Sequence, residues 1–284
     1  MRIVRTVADL RAAVAAERGA GRTIGFVPTM GALHDGHLAL VDAARANSDC
    51  VVASIFVNRK QFGPNEDFDA YPRQECEDAA KLEARGAALL FAPPHEEMYP
   101  DGFATTVSVG GLDEVLCGAS RPGHFDGVAT VVTKLLNQAA PDIACFGEKD
   151  WQQLTIIRRL VRDLDLPVRI VGVPIEREDD GLARSSRNAY LSEAERTVAS
   201  RLPNILHMAA DRIGSGGDPE AVLPNARREL EEAGFTVDYL ELRNENDLSP
   251  VRAAGRGARL FAAAWLGRPR LIDNLPVPAR RPGL

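Results

Sequence analysis

Thr23-Ile24-Gly25-Phe26-Val27-Pro28-Thr29-Met30-Gly31-Ala32-Leu33-His34-Asp35-Gly36-His37-Leu38-Ala39-Leu40-Val41 is the stretch that decides the fold class. Its first part, 23–27, is an apolar run of strand length, and a loop containing Pro and Gly follows. Leu38, Leu40, Val41 and Ala44 then recur on one side of a helix. Residues 50–57 form a second, strongly β-branched strand. Strand, loop, helix and strand in that order make the unit of a parallel sheet covered by helices, because parallel neighbours need a crossover.

The same alternation extends both ways. Upstream, Thr6 caps a helix through Leu10 and Val14 that Gly19 and Gly21 end. Downstream, helices at 75–85, 126–137 and 151–164 alternate with strands at 88–92, 142–146 and 168–173. The pattern predicts an α/β, Rossmann-like, doubly wound parallel sheet over residues 1–175. Beyond it the texture changes. Helical stretches at 192–212 and 219–233 precede strands at 237–242, 258–266 and 270–273, with no helices between them. Such grouping predicts a smaller C-terminal α+β domain with an antiparallel sheet over 176–284.

A chain of 284 residues suits one or two domains, and 45% hydrophobic with 26% charged residues is ordinary globular composition. No apolar run approaches the ~20 residues of a membrane helix. Met1-Arg2-Ile3-Val4-Arg5 lacks the apolar core of a secretory leader, so a cytoplasmic protein with no membrane partner is expected. A net charge of -6 argues against a general nucleic-acid surface. Cys50, Cys76, Cys117 and Cys145 contain no Cys-x-x-Cys pair, which suggests neither zinc nor a disulfide framework. Cys50 and Cys145 read as small core residues.

The loop ahead of Leu38 lies where an open parallel sheet places its ligand crevice. A helix start there offers backbone N–H groups and partial positive charge to an anion. His34 and His37, three apart, share one side of the first turn and can donate to phosphate oxygens. A Walker A loop is excluded, since His37-Leu38 follows Gly36, and no Gly-x-Gly-x-x-Gly occurs in this turn. Taken alone, the histidine pair is equally compatible with a capping or packing role.

Four further strings carry polar chemistry at strand ends or helix starts. Asn58 and Gln61, in Ser54-Ile55-Phe56-Val57-Asn58-Arg59-Lys60-Gln61-Phe62, offer neutral amides suited to a hydroxy acid. Arg121 and His124, in Gly118-Ala119-Ser120-Arg121-Pro122-Gly123-His124-Phe125-Asp126, suit a carboxylate, with Asp126 expected to cap the next helix. Gly147-Glu148-Lys149-Asp150-Trp151-Gln152-Gln153 places a cation and an amide together. Arg184-Ser185-Ser186-Arg187-Asn188 is a plausible anion-binding turn. Each has a bland alternative as a polar junction, a solvated turn or an N-cap.

His34-Asp35-Gly36-His37 resembles the His-x-Gly-His signature of the nucleotidylyltransferase superfamily, and the five strings, in this order, resemble the pantothenate synthetases. The resemblance implies a ligase that adenylates pantoate with ATP and passes the acyl group to β-alanine. It implies ATP contacts from Met30, Gly31, Ala32, Leu33, His34, His37, Gly147, Glu148, Lys149, Asp150, Arg184, Ser185, Ser186 and Arg187. Pantoate falls to Asn58, Gln61 and Gln153, and β-alanine to Gln61, Arg121 and His124. His34, His37, Lys149 and Arg187 become the catalytic set, with His37 the choice as proton donor. Mg²⁺ is expected on the triphosphate without a protein metal site, and the family implies a homodimer. The second domain is a candidate lid.

The chain departs from the family text at Arg59, Lys60, Cys117, Trp151, Glu176 and Arg184. Arg59 and Lys60 lend some support to an alternative, a related nucleotidylyltransferase with a phosphate-bearing acceptor. A non-catalytic nucleotide sensor is a third reading, opposed by the intact His34, His37, Lys149 and Arg187.

Overall fold

The computed structural model describes residues 1–64 and 66–277, so the last seven positions of the expected C-terminal domain, 278–284, lie outside the described residues. In chain order the elements are β1 (Arg2–Val4), α1 (Val7–Gly19), β2 (Ile24–Thr29), α2 (Asp35–Asn47), β3 (Cys50–Ile55), α3 (Glu75–Ala84) and β4 (Leu89–Phe91). They continue with α4 (His95–Met98), α5 (Cys117–Ser120), α6 (His124–Ala139), β5 (Ile143–Gly147), α7 (Trp151–Asp163) and β6 (Arg169–Val173). The remainder is α8 (Glu193–Ala199), α9 (Arg201–Gly214), α10 (Pro219–Glu232), β7 (Thr236–Asn244), β8 (Ala258–Trp265) and β9 (Arg270–Pro276).

The chain forms two compact units. One comprises Met1–Glu114, Arg121–Glu148 and Ile156–Pro174; the other comprises Val115–Ser120, Lys149–Thr155 and the chain from Ile175 onward. In the first, the described residues form a six-stranded sheet ordered β1-β4-β3-β2-β5-β6, with every pairing parallel. The chain steps from β2 through β3 to β4 on one side, then resumes with β5 and β6 on the other. The order therefore reverses between β2 and β5, the topological switch point at which such sheets bind ligands beyond their carboxyl ends. Helix α2 packs on β2, β3 and β5, while α1 and α6 pack on each other and on β2. The core includes Val27, Leu40, Val41, Val51, Leu82, Leu90 and Cys145. Burial pushes the Cys50 and Cys145 thiols up to about 11, in keeping with small core residues that stay protonated.

In the second unit, β7, β8 and β9 form an antiparallel meander with a register shift between Val237 and Tyr239. A core of α9, α10 and sheet residues, among them Leu202, Leu206, Leu230, Leu260 and Ala262, lies beneath it.

Three local expectations are corrected. Strand β1 is absent from the sequence reading; it has three residues, only Val4 buried, and exists through parallel pairing with Leu89–Phe91. The helix expected over 192–212 is two helices, α8 and α9, meeting at Ser200. Pro203 supplies the reason: it has no N–H for the Ala199 carbonyl, and its ring crowds that oxygen. Asp126 is not a helix cap. Gly123 takes that position at φ 79°, and Asp126 lies in the first turn of α6, where a carboxylate still complements the helix dipole.

One glycine sets the approach of α6 to the rest of its unit. A Cβ on Gly127 would stand 2.3 Å from the Lys60 carbonyl oxygen and 2.6 Å from the Gln61 nitrogen, both on the 3-10 turn Arg59–Gln61. Backbone atoms cannot rotate away as a side chain can. Gly127→Ala is expected to lower stability by about 1–3 kcal/mol through overpacking, read as a lower denaturant midpoint in a urea titration. An unchanged midpoint would mean that the turn and helix separate freely.

Candidate functional site

The loop leaving β2 is held by groups remote in sequence. Thr29 Oγ1 donates to the Ser54 carbonyl at 2.8 Å and accepts the Gly31 N–H at 3.2 Å. Gly31 and Ala32 then adopt φ of 84° and 52°. Left-handed backbone costs an alanine about 1–2 kcal/mol, so something must hold it. Asp78, wholly buried on α3, does so: Oδ2 accepts the Ala32 N–H and Oδ1 the Leu33 N–H, each at 2.8 Å. Lys81, one helical step along, donates to the Leu33 carbonyl at 2.8 Å. Sequence reasoning missed Asp78 and Lys81, although an acidic residue on the same helix face as buried Leu82 was the available signal.

His34 is the N-cap of α2, its Nδ1 accepting the Gly36 N–H at 3.1 Å, and His37 Nδ1 accepts the His34 N–H at 3.4 Å. The two form a reciprocal capping box with ring centroids 4.1 Å apart. Accepting at Nδ1 puts the proton of each neutral imidazole on Nε2. The capping role and a donor role toward an anion are therefore compatible: one nitrogen serves the backbone, the other carries an N–H. Met30, Gly31, Ala32 and Leu33 lead directly into this helix start.

Asn58 is 1% exposed. Its Nδ2 donates to Gln61 Oε1 at 2.9 Å and to the Gly127 carbonyl at 3.0 Å, while its Oδ1 accepts from the Tyr99 hydroxyl at 2.8 Å. Asn58 thus acts on its surroundings through Gln61, whose Nε2 reaches Met30 Sδ at 3.3 Å. Arg59 lies over the Phe68 ring, and Lys60 over Tyr99 and Phe103. The cations in the departure from the family text are turned onto aromatic faces.

Arg121 and His124 meet, Nη1 to Nε2, at 3.0 Å. His124 Nδ1 lies 2.7 Å from the Gln61 carbonyl oxygen, which only accepts, so Nδ1 carries the proton and Nε2 accepts from Arg121. Arg121 also grips Glu66 through Nε and Nη2 at 2.7 and 2.6 Å. Burial works to raise the Glu66 carboxyl and the Arg121 guanidinium outweighs it, leaving it below the usual range. The arrangement is a carboxylate-binding fork, here closed on a carboxylate of the same chain.

The remaining residues belong to the second unit, apart from Gly147 and Glu148 at the end of β5. Lys149 and Asp150 lie in the short 3-10 turn Glu148–Asp150 ahead of α7. The Lys149 carbonyl accepts from buried Asn274 at 3.0 Å. Trp151 donates from Nε1 to the Glu245 carbonyl at 2.8 Å, with the Arg259 guanidinium 3.4 Å over its ring. Arg259 in turn donates to Asn274 Oδ1 at 2.6 Å. The turn bearing Lys149 is thereby fixed from β8 and β9, and Gln153 follows half-buried on α7. Nothing in the sequence signalled Asn274 or Arg259.

Arg184 to Arg187 follow a small hairpin in which Arg177 pairs with Ala183 and the Glu176 carbonyl accepts the Arg184 N–H at 2.9 Å. Arg177 anchors the hairpin by a two-pronged contact to buried Asp273 at 2.8 and 2.9 Å. Ser185 caps the next 3-10 turn, its Oγ accepting the Arg187 N–H at 3.2 Å, while Arg184 faces Glu178 at 3.4 Å. The Glu176 side chain is exposed.

The family model of pantoate-beta-alanine ligase matches residues 2–276. The chain is 59% identical over 276 residues to the pantothenate synthetase of Chelativorans sp. (strain BNC1), covering 97% of each. Over 278 residues it is 59% identical to that of Rhizorhabdus wittichii, covering 98% of this chain and 99% of the relative. Of solved structures, pantothenate synthetase from Thermus thermophilus superposes with TM-score 0.93 at 50% identity, covering 98% of this chain and all of that one. The pantoate-beta-alanine ligase of Francisella tularensis, solved with β-γ ATP and β-alanine, superposes with TM-score 0.81 at 34% identity, covering 97% of each.

Asp78→Asn replaces one of two accepting oxygens by an N–H donor facing a backbone N–H. The loss expected is about 1.5–3 kcal/mol in unfolding free energy by denaturant titration, the scale of a hydrogen bond to a charged group. A neutral effect would show that the loop conformation stands without the carboxylate.

Proposed function

The chain belongs to the pantoate–β-alanine ligase family, and from that premise we propose the following division of labour among its residues. In the first half-reaction the pantoate carboxylate attacks the α-phosphorus of ATP, forming pantoyl adenylate and expelling pyrophosphate. In the second, the β-alanine amine attacks the acyl carbon, AMP leaves with the bonding electron pair of the mixed anhydride, and the amine loses a proton. Phosphoryl-type transfer of this kind depends on positioning and charge stabilisation rather than on covalent help from the protein.

His34 and His37 donate to phosphate oxygens from Nε2, supported by the Nδ1 capping bonds that leave the N–H there. His37 acts here as a hydrogen-bond donor; as proton donor it would have to be the imidazolium, which gives up the capping bond at Nδ1. The loop Met30, Gly31, Ala32 and Leu33 offers backbone to the nucleotide. Gly147, Glu148, Lys149 and Asp150, with Arg184, Ser185, Ser186 and Arg187, are assigned to ATP; Lys149 and Arg187 offset the charge on the departing pyrophosphate. Gln61 and Gln153 take pantoate, with Asn58 behind Gln61. Arg121 and His124, with Gln61, take the carboxylate end of β-alanine. The chemistry of the donor set fits a metal carried on the nucleotide: apart from the carboxylates of Glu148 and Asp150, these side chains are cationic or neutral. Among the described residues no group of three or more His, Cys, Asp and Glu is placed to hold a metal ion. Mg²⁺ arriving with the triphosphate would supply charge neutralisation there.

We also infer a homodimer, since two-fold dimers are the commonest assembly, and a cytoplasmic location. No described helix is long and apolar enough to cross a membrane. The observation that carries the proposal is the capped helix start with both histidines in the same tautomer.

The test follows products by chromatography after incubation with ATP, Mg²⁺, pantoate and β-alanine. AMP and pantothenate in equal amounts, only with all substrates present, is the expected result. His37→Ala is expected to lower kcat by roughly 10²–10³-fold, the scale of losing one preorganised donor. Pyrophosphate release with a phosphate-bearing acceptor, and none with pantoate, would overturn the reading.

A further inference from the structure

Tyr99 has a polar role that the ligand assignments leave unused. It lies seven residues beyond Ala92 and outside every string that carries the family resemblance, yet its hydroxyl ends on the amide network of Asn58 and Gln61. We propose that Tyr99 is a positioning residue for pantoate: acting through Asn58, it holds Gln61 so that an amide N–H, not a carbonyl, is presented to the ligand. The inference rests on the reading that Gln61 contacts pantoate.

The polarity of the relay follows from its fixed end. The Gly127 carbonyl can only accept, so the group facing it at 3.0 Å is the Asn58 Nδ2 donor. Turning that amide over would set two oxygens together on a buried carbonyl. With Nδ2 so placed, its second N–H donates to Gln61 Oε1 at 2.9 Å, and Asn58 Oδ1 faces Tyr99. Only a donor satisfies that oxygen, and burial pushes the Tyr99 phenol far above its ordinary value, so it stays protonated and donates. Gln61 Oε1 being taken, the amide's other end, Nε2, points away toward Met30 Sδ at 3.3 Å. A thioether is a weak acceptor. Exchanging it for a carboxylate or hydroxyl oxygen of a ligand costs little and returns a stronger hydrogen bond.

The relay also bears on specificity. A ligand group meeting Gln61 has to be an oxygen acceptor, and a donor-only group there would face an N–H. The Tyr99 ring has its own support, edge-on to Phe103 at 5.0 Å and near Phe56 at 6.0 Å, with Lys60 and Lys134 over its faces at 5.3 and 5.9 Å. Removing the hydroxyl alone therefore leaves the ring packed while stranding a buried acceptor on Asn58.

The experiment is a steady-state comparison of the full-length enzyme with Tyr99→Phe, Gln61→Ala and the double variant, alongside thermal melting. Tyr99→Phe is expected to raise KM for pantoate about 3–10-fold, the scale of the net contribution of one hydrogen bond, with KM for ATP unmoved. In the Gln61→Ala background the same change is expected to add nothing, because the relay then has no end to position. A pantoate KM that stays put in Tyr99→Phe while Gln61→Ala raises it would overturn the relay. So would parallel rises in both KM values with a fall in melting temperature, or a full additional loss in the double variant, since each signals packing rather than positioning. If Gln61→Ala itself leaves the pantoate KM unchanged, the assignment of Gln61 falls first and the proposal with it.

Discussion

Two backbone N–H groups, of Ala32 and Leu33, end on one buried carboxylate, and the geometry of the histidine-bearing helix start depends on it. The chain turns from β2 into α2 through two residues with positive φ, one of them an alanine. Without Asp78 that turn would leave two N–H groups buried and unbonded, each costing roughly 1–3 kcal/mol. With it, the entry angle of α2 is set, and so is the reciprocal cap that aims Nδ1 of His34 and His37 at the backbone. The tautomer of both rings is in this sense a consequence of a carboxylate on α3. Electrostatics agrees with geometry, because a helix start favours anions and a neutral imidazole N–H adds a donor without the cost of protonation.

Both units use the same device. Loops that carry the groups assigned to ligands have backbone pinned by polar side chains from distant segments. Asp78 and Lys81 hold the loop after β2; Asn274, Arg259 and Trp151 hold the turn of Lys149; Arg177 and Asp273 hold the hairpin leading to Arg184. Gly127 does the same by exclusion, since only a residue without a Cβ lets α6 approach the turn of Lys60 and Gln61. Such supports fix the backbone from which the side chains project, which is what preorganised donors require.

The parallel sheet was legible because its strands are near-continuous apolar runs between helix-period segments, and both periodicities are local properties of the chain. Strand β1 was not, since three residues with one buried carry no period and the pairing partner lies far along the chain. The break at Ser200 was written in Pro203 but needed the i−4 carbonyl to be considered. Within the candidate site, the residues that a sequence reading can name are those embedded in contiguous strings. Asp78, Tyr99, Arg259 and Asn274 are not among them, because each acts singly from an element whose sequence reads as ordinary helix, loop or strand. Gln61 was legible as an amide, but which of its ends faces outward is set by Gly127 and Tyr99, a property of three dimensions only. Arg121 read as a carboxylate ligand, and the structure adds that Glu66 occupies its fork.

In the proposed reaction sequence, adenylation of pantoate is complete before the amine takes part. Exchange of labelled pyrophosphate into ATP, measured with Mg²⁺ and pantoate in the absence of β-alanine, tests it most directly. The account predicts pantoate-dependent exchange that needs no β-alanine, because the adenylate and pyrophosphate form and recombine on the enzyme. Exchange that appears only when β-alanine is added, or that proceeds without pantoate, would contradict it.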